Sequence, residues 1–127
     1  MIENYYNDAT NLLKSLIAVP SVSRNEKEAS DLFCAHLAEH GIPCQRYGNN
    51  IVCAAKDPET TKPTLMLNAH IDTVKPATGW QRDPFTPSVE NGNLYGLGSN
   101  DCGGGLVSLL QAFRILSAKP QHYNLIF

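Results

Sequence analysis

The sequence predicts an α/β sandwich, with a mixed, mostly parallel central sheet flanked by helices. Three observations predict it. Helical periodicity recurs in three stretches. Short apolar runs bounded by Gly, Pro and Asn lie between them. The order runs helices, strands, helix, strand, which suits helices packed on a sheet.

Residues 4–18 read as the first helix, because Ala9, Leu12, Leu13, Leu16 and Ile17 repeat along one face. Pro20 stops it. A second helix opens at "SRNE", where Ser23 and Glu26 have the spacing of a capping box. Ala29, Leu32, Phe33 and Leu37 give its apolar stripe, and Gly41 its C-terminal cap. "IPCQRYGNNIVCAA" reads as two strands around a Gly-Asn-Asn turn, and "KDPETTKP" as a polar loop. "TLMLNAH" is a continuous apolar run, the pattern of a central strand buried on both faces. Asn91-Gly92, inside "FTPSVENGNLYG", predicts a hairpin. Leu106, Leu109, Leu110, Phe113 and Leu116 mark a third helix, and "HYNLIF" begins another strand.

The 127 residues suit one domain, or part of a larger one, with no internal repeat or linker. A net charge of −2 with no basic patch argues against a nucleic-acid partner. No stretch approaches the ~20 apolar residues that span a membrane, and "MIENYYNDAT" lacks the features of a secretory signal. Cys34, Cys44, Cys53 and Cys102 form no Cys-x-x-Cys pair and read as reduced thiols, so a cytoplasmic setting is expected.

The chemistry gathers in two places. "LNAHIDTV" sets His70 and Asp72 two residues apart at a strand end, so both side chains leave on the same side. His70 suits a metal through one ring nitrogen, with Asp72 supporting the other; the alternative is a polar turn in which Asp72 caps a loop. "NLYGLGSNDCGGG" then places Asp101 after a strand and a glycine turn. Asp101 is either a carboxylate that bridges two metals ~3.5–4 Å apart or the N-cap of the helix that follows. These glycines do not form a phosphate cradle: no Lys follows them, and Asp101 occupies the last position of a would-be Gly-x-Gly-x-x-Gly.

"LNAHIDTVKP" followed by "GWQRDPFTPSVENGNLYGLGSNDCGGG" resembles the aminoacylase, carboxypeptidase and acetylornithine deacetylase family of dinuclear zinc hydrolases, which includes the succinyl-diaminopimelate desuccinylases. The shared order is His-x-Asp-x-Val, then Trp80, Pro84 and Phe85, then Gly-x-Leu-Tyr-Gly-x-Gly-Ser-x-Asp-x-x-Gly-Gly, all within residues 65–105. The resemblance implies that His70 binds one zinc, that Asp101 bridges two, and that Asp72 orients His70, a catalytic role. Cobalt or manganese are the alternative ions. It implies a small acylated amino acid as substrate, acetylornithine first, with succinylated diamino acids, other acyl-amino acids and dipeptides behind it. Where many members carry Lys two residues after the bridging Asp, this chain has Gly103.

The resemblance also implies that residues 1–127 are the N-terminal part of a metallohydrolase catalytic domain. A glutamate pair (general base and ligand), further ligands, and a lid domain through which the parent dimerises would all follow Phe127. The rival readings are a non-catalytic metal- or partner-binding domain, and a thiol-dependent or nucleotide-binding α/β protein.

Other residues carry weaker signals. "HLAEH" has inverted-zincin spacing, with His36 and His40 as ligands and Glu39 as base, but the helix ends directly after it. The favoured reading is two satisfied, partly buried histidines. Ser99 is in no nucleophile elbow, Cys102 reads as a small packing residue, and Trp80 and Phe85 read as packing a loop over the site. With two ligands from this chain, too few for a catalytic zinc site, the 127 residues alone are expected to hydrolyse nothing. A zinc titration coupled to an acyl-amino-acid hydrolysis assay checks this, and robust turnover would contradict it.

Overall fold

A computed structural model describes residues 1–127. Helix α1 spans Ile2–Ile17, α2 Lys27–Glu39 and α3 Gly104–Ser117. Strands β1 (Gln45–Tyr47) and β2 (Asn50–Val52) form an antiparallel hairpin. Strand β3 (Thr64–Met66) runs parallel to β6 (Asn124–Ile126), and β4 (Ser88–Glu90) pairs with β5 (Asn93–Tyr95) as a second hairpin.

The first hairpin and the β3–β6 pair join into one sheet. Cys53 and Phe127 exchange backbone hydrogen bonds at 2.7 and 2.9 Å, and the Ala55 N–H donates to the Leu125 carbonyl at 2.9 Å. The order is therefore β1-β2-β6-β3, a mixed sheet under helices, as expected of an α/β fold. Within it β3–β6 is the parallel ladder and the other two are antiparallel, so the parallel share is smaller than the sequence suggested.

The core lies between this sheet and the helices. Helix α1 contributes Leu12, Leu13, Leu16 and Ile17; α2 contributes Ala29, Phe33 and Leu37; α3 contributes Leu106, Val107, Leu110 and Phe113. Cys53 and Leu125 close it from the sheet. Phe127 links the layers, with its ring centroid 5.9 Å from that of Phe33 and 6.0 Å from that of Phe113. The three helical stripes read from the sequence are thus the buried ones. No helix is long and apolar enough to cross a membrane.

Two expectations need correction. Ser23 and Glu26 do not form a capping box. Helix α2 starts at Lys27 without a side-chain cap, the Ser23 hydroxyl donates to the Asp72 carboxylate, and Glu26 accepts from the Arg24 N–H and the Asn49 amide. The capping pattern was right in spacing, but a partner 49 residues away captured the hydroxyl. The second correction concerns β3. It is not buried on both faces: Leu65 is 41% and Met66 62% exposed. The reason is its place at the end of the sheet, hydrogen-bonded to β6 alone.

Other local signals hold. Helix α2 ends in a Schellman motif, with Ile42 N–H bonded to the Leu37 carbonyl and Gly41 N–H to that of Ala38. Asn91 and Gly92 both have positive φ, 51° and 79°, as a type I′ hairpin turn requires.

Cys53 is fully buried, and burial pushes its thiol up to about 12. At pH 8 its thiolate fraction, and so its alkylation, should be roughly a thousand-fold below that of an ordinary thiol. Iodoacetamide labelling read by mass spectrometry should modify Cys53 on unfolding and spare it in the folded chain.

Candidate metal centre

The chain leaves β3 in extended form and carries His70 and Asp72 past the end of the β3–β6 ladder. A short parallel pairing holds them there. The Thr73 N–H donates to the Ser21 carbonyl at 2.9 Å, the Ser23 N–H donates to the Thr73 carbonyl at 3.1 Å, and the Ser21 hydroxyl donates to the Ile71 carbonyl at 3.2 Å. Every backbone group in this stretch that pairs with 21–23 lies beside a functional side chain.

Asp101 arrives from the other direction, on a kinked turn over Ser99–Gly103 between the second hairpin and α3. Its dihedrals (φ −119°, ψ 96°) are not helical, and the peptide bond to Cys102 is cis. Two glycines let this turn sit against its neighbours. Gly98 has φ +80°, and a Cβ there would lie 2.6 Å from Thr73 Cγ2. A Cβ at Gly103 would lie 2.6 Å from both the Gly98 carbonyl oxygen and Leu13 Cδ1. Gly103, the departure noted in the sequence, therefore fills a place where a side chain would force backbone to move. The Cys102 thiol donates to the His70 carbonyl at 3.2 Å, tying the turn to the strand end. Its role is local fastening, as the packing interpretation anticipated.

These elements bring His70 and Asp101 together, although 31 positions separate them. His70 Nε2 lies 3.0 Å from Asp101 Oδ1. His70 Nδ1 lies 3.0 Å from the Asp72 carbonyl and 3.2 Å from Asp72 Oδ1. A carbonyl can only accept, so Nδ1 carries a proton and Nε2 faces Asp101. Asp72 thus orients the ring through its main chain as well as its carboxylate, which the sequence did not reveal. Its carboxylate is in turn held by Ser23.

The electrostatics follow from these contacts. The Ser23 hydrogen bond, with the His70 charge behind it, holds the Asp72 carboxyl below its usual range. Desolvation pulls the His70 imidazole down, but the Asp72 carbonyl and the Asp101 carboxylate outweigh it, so His70 ends above its usual value. In the neutral ring Nε2 offers a lone pair to another lone pair, and only a proton or a metal cation makes that contact favourable. With metal–ligand bonds of ~2.0–2.1 Å, two ligands of one tetrahedral ion stand about 3.3 Å apart, close to the spacing seen. Asp101 is 86% exposed, and α3 has no side-chain cap, so Asp101 is not serving as an N-cap. These residues fit a metal ion.

A cleft of about 900 Å³ opens beside the centre, lined by Arg24, Asn49, Leu67, His70, Asp72 and Leu106, among others. Trp80 is 39% exposed, and neither it nor Phe85 lines the cleft, so the expected packing over the site is not observed. His36 and His40 stand apart from this centre, against Asp8 of α1, while Glu39 is exposed. The third ligand-type side chain beside the two histidines is thus Asp8, which the inverted-zincin spacing does not include. Sequence reasoning missed two partners, Ser23 and Asp8. Each meets its histidine or carboxylate only through tertiary folding.

Known proteins share this arrangement of chain. A succinyl-diaminopimelate desuccinylase from Bordetella avium is 32% identical over 117 residues, 87% of this chain and 30% of that protein. A metallo-carboxypeptidase of the M20 family from Sulfolobus solfataricus superposes with a TM-score of 0.70 at 21% identity, over 93% of this chain and 29% of its own. Human carnosine dipeptidase 1 superposes with a TM-score of 0.68 at 24% identity, over 99% of this chain and 32% of its own. The chain spans about a third of the length of the relatives it matches. Residues 66–127, from the end of β3 through Asp101 to β6, match the family described as Peptidase family M20/M25/M40. Over those residues the chain is similar to that family.

Proposed function

We propose that residues 1–127 form the first part of a metal-dependent hydrolase domain that cleaves the amide bond of an N-acylated amino acid. The observation that carries the reading is the 3.0 Å approach of His70 Nε2 to Asp101 Oδ1, with Nδ1 already committed to Asp72. In this reading His70 and Asp101 would hold zinc, with cobalt or manganese as substitutes, and the Asp101 carboxylate would serve two such ions. When bound, such an ion supplies Lewis acidity, polarising an amide carbonyl and making water acidic enough to act near neutral pH.

The chain's own residues have separable tasks. Asp72 fixes the His70 tautomer, so that Nε2 keeps its lone pair for the ion. Ser23 holds the Asp72 carboxylate ionised and in place. The cleft beside them combines apolar walls with Arg24, Glu26, Asn49, Asn50 and Asn68, a mixture of charged and polar groups suited to a small amino-acid derivative.

Among substrates, the curated relatives bear the name of succinyl-diaminopimelate desuccinylase. That favours a succinylated diamino acid over the acetylornithine that the sequence placed first. The reading carries with it a cytoplasmic setting and dimerisation through a lid domain, as the family resemblance implies.

Two experiments test it. His70→Ala and Asp101→Ala should each abolish zinc binding at this centre, followed by competition with a chromophoric chelator. Unchanged affinity in both would remove the basis of the reading. Ser23→Ala should weaken zinc binding about 10–100-fold while leaving the thermal midpoint nearly unchanged. For the activity itself, these residues are joined to the rest of such a catalytic domain. Zinc-dependent amine release is then expected from N-succinyl diamino acids in preference to N-acetyl ones.

A further inference from the structure

A second cluster of ligand-type side chains lies away from the centre just described. Asp8 of α1 meets His36 and His40, one turn apart on α2, and their ligand atoms all fall within 4.8 Å of one another. His36 Nε2 is 3.3 Å from Asp8 Oδ2, and His40 Nε2 is 3.1 Å from Asp8 Oδ1. The ring centroids are 4.4 Å apart.

The hydrogen bonding sets the His40 tautomer as it does that of His70. His40 Nδ1 lies 2.9 Å from the His36 carbonyl and must donate to it. In the neutral ring His40 Nε2 therefore presents a lone pair to Asp8 Oδ1. His36 Nε2 is buried and has no hydrogen-bond partner. Burial, working against the attraction of Asp8, keeps the His36 imidazole below its usual pKa. In the neutral state His40 Nε2 and Asp8 Oδ1 thus face one another with no proton between them, and the buried His36 Nε2 stands beside them.

The carboxylate is held from behind. Asp8 Oδ2 accepts from Arg114 Nη1 at 2.6 Å and from Gln111 Nε2 at 2.9 Å, and Arg114 also donates to Gln111 Oε1 at 2.7 Å. Ligating carboxylates are commonly fixed by outer hydrogen bonds of this kind. The guanidinium charge opposes a second cation, so it sets an upper limit on affinity. Oδ1 stays free of it.

We propose that Asp8 Oδ1, His36 Nε2 and His40 Nε2 form a second, structural site for a divalent transition metal of the zinc type, clipping α1 to α2. Two imidazoles and one carboxylate are a common donor set for zinc, cobalt and nickel. The 3.1 Å between His40 Nε2 and Asp8 Oδ1 matches the ~3.3 Å edge of a tetrahedron with bonds of ~2.0 Å, and His36 supplies its nitrogen within the 4.8 Å that encloses the three ligand atoms. A hollow of about 360 Å³ over the cluster, with Asn11 and Ser15 on its wall, leaves room for water as the fourth ligand. The site shares no residue with the first centre. Asp101 precedes the start of α3 and Arg114 is ten residues into it, about 15 Å along the axis.

The test uses untagged chain at pH 7.5. In a His70→Ala/Asp101→Asn background, titration with Zn2+ and Co2+ should still show one bound equivalent, with a tetrahedral visible spectrum for Co2+ and a rise in the thermal midpoint with Zn2+. Adding His36→Gln or His40→Gln should weaken binding roughly 10-fold or more and remove the rise. Absence of metal binding in the background, or binding indifferent to both histidine changes, would overturn the proposal. A second measurement needs no variant. Zn2+ added to the unaltered chain should shift the imidazole NMR signals of His36 and His40 along with His70. A response confined to His70 would show that the cluster is closed by a proton alone, which also overturns it.

Discussion

The structure depends most on a very short piece of parallel pairing, Ser21–Ser23 against Ile71–Thr73. Three backbone and hydroxyl hydrogen bonds fasten these segments. They place the loop before α2 beside the strand end that carries His70 and Asp72. From that one contact follow the Ser23 hold on Asp72, the Asp72 hold on His70, and the direction in which the imidazole presents Nε2. None of these residues is deeply buried apart from Ser21. The placement of His70 and Asp72 thus comes from backbone registration rather than from close packing around them.

The core has a complementary task. Buried leucines of α1 and α3 lie directly beneath the glycine turn, and Leu13 is close enough to Gly103 to exclude a side chain there. Helix packing and site geometry are therefore one problem. A Cβ at residue 103 would meet Leu13 of α1, and one at residue 98 would meet the Thr73 side chain, so the turn that carries Asp101 sits where it does because both positions are glycine. Helix α3 also connects the two ends of the molecule, leaving the kinked turn at its start and offering Gln111 and Arg114 to Asp8 near its end.

Much of this was legible in the sequence, for physical reasons that differ by feature. Leu12, Leu16, Phe33, Leu110 and Phe113 announced themselves through helical periodicity, because burying one face of a helix is a local constraint. Asn91-Gly92 did so through turn stereochemistry. His70, Asp72 and Asp101 were legible from the residue types at a strand end and after a glycine turn, and from their resemblance to a family. What stayed hidden required contacts between distant parts of the chain. Ser23 carried a valid helix-start pattern, yet its hydroxyl went to Asp72. Asp8 looked like one more polar residue on an amphipathic helix. The apolar run 64–67 suggested burial on both faces, but burial depends on what covers a strand, and its own letters do not say.

The edge position of β3 has a consequence for how the chain behaves among copies of itself. One side of Thr64–Met66 is satisfied by β6, while the other presents unclaimed amide and carbonyl groups flanked by Leu65 and Met66. No proline, lysine or bulge interrupts those three residues. Such a border is a template for intermolecular sheet extension. At high concentration, this is where strand would meet strand and draw the two apolar side chains out of water.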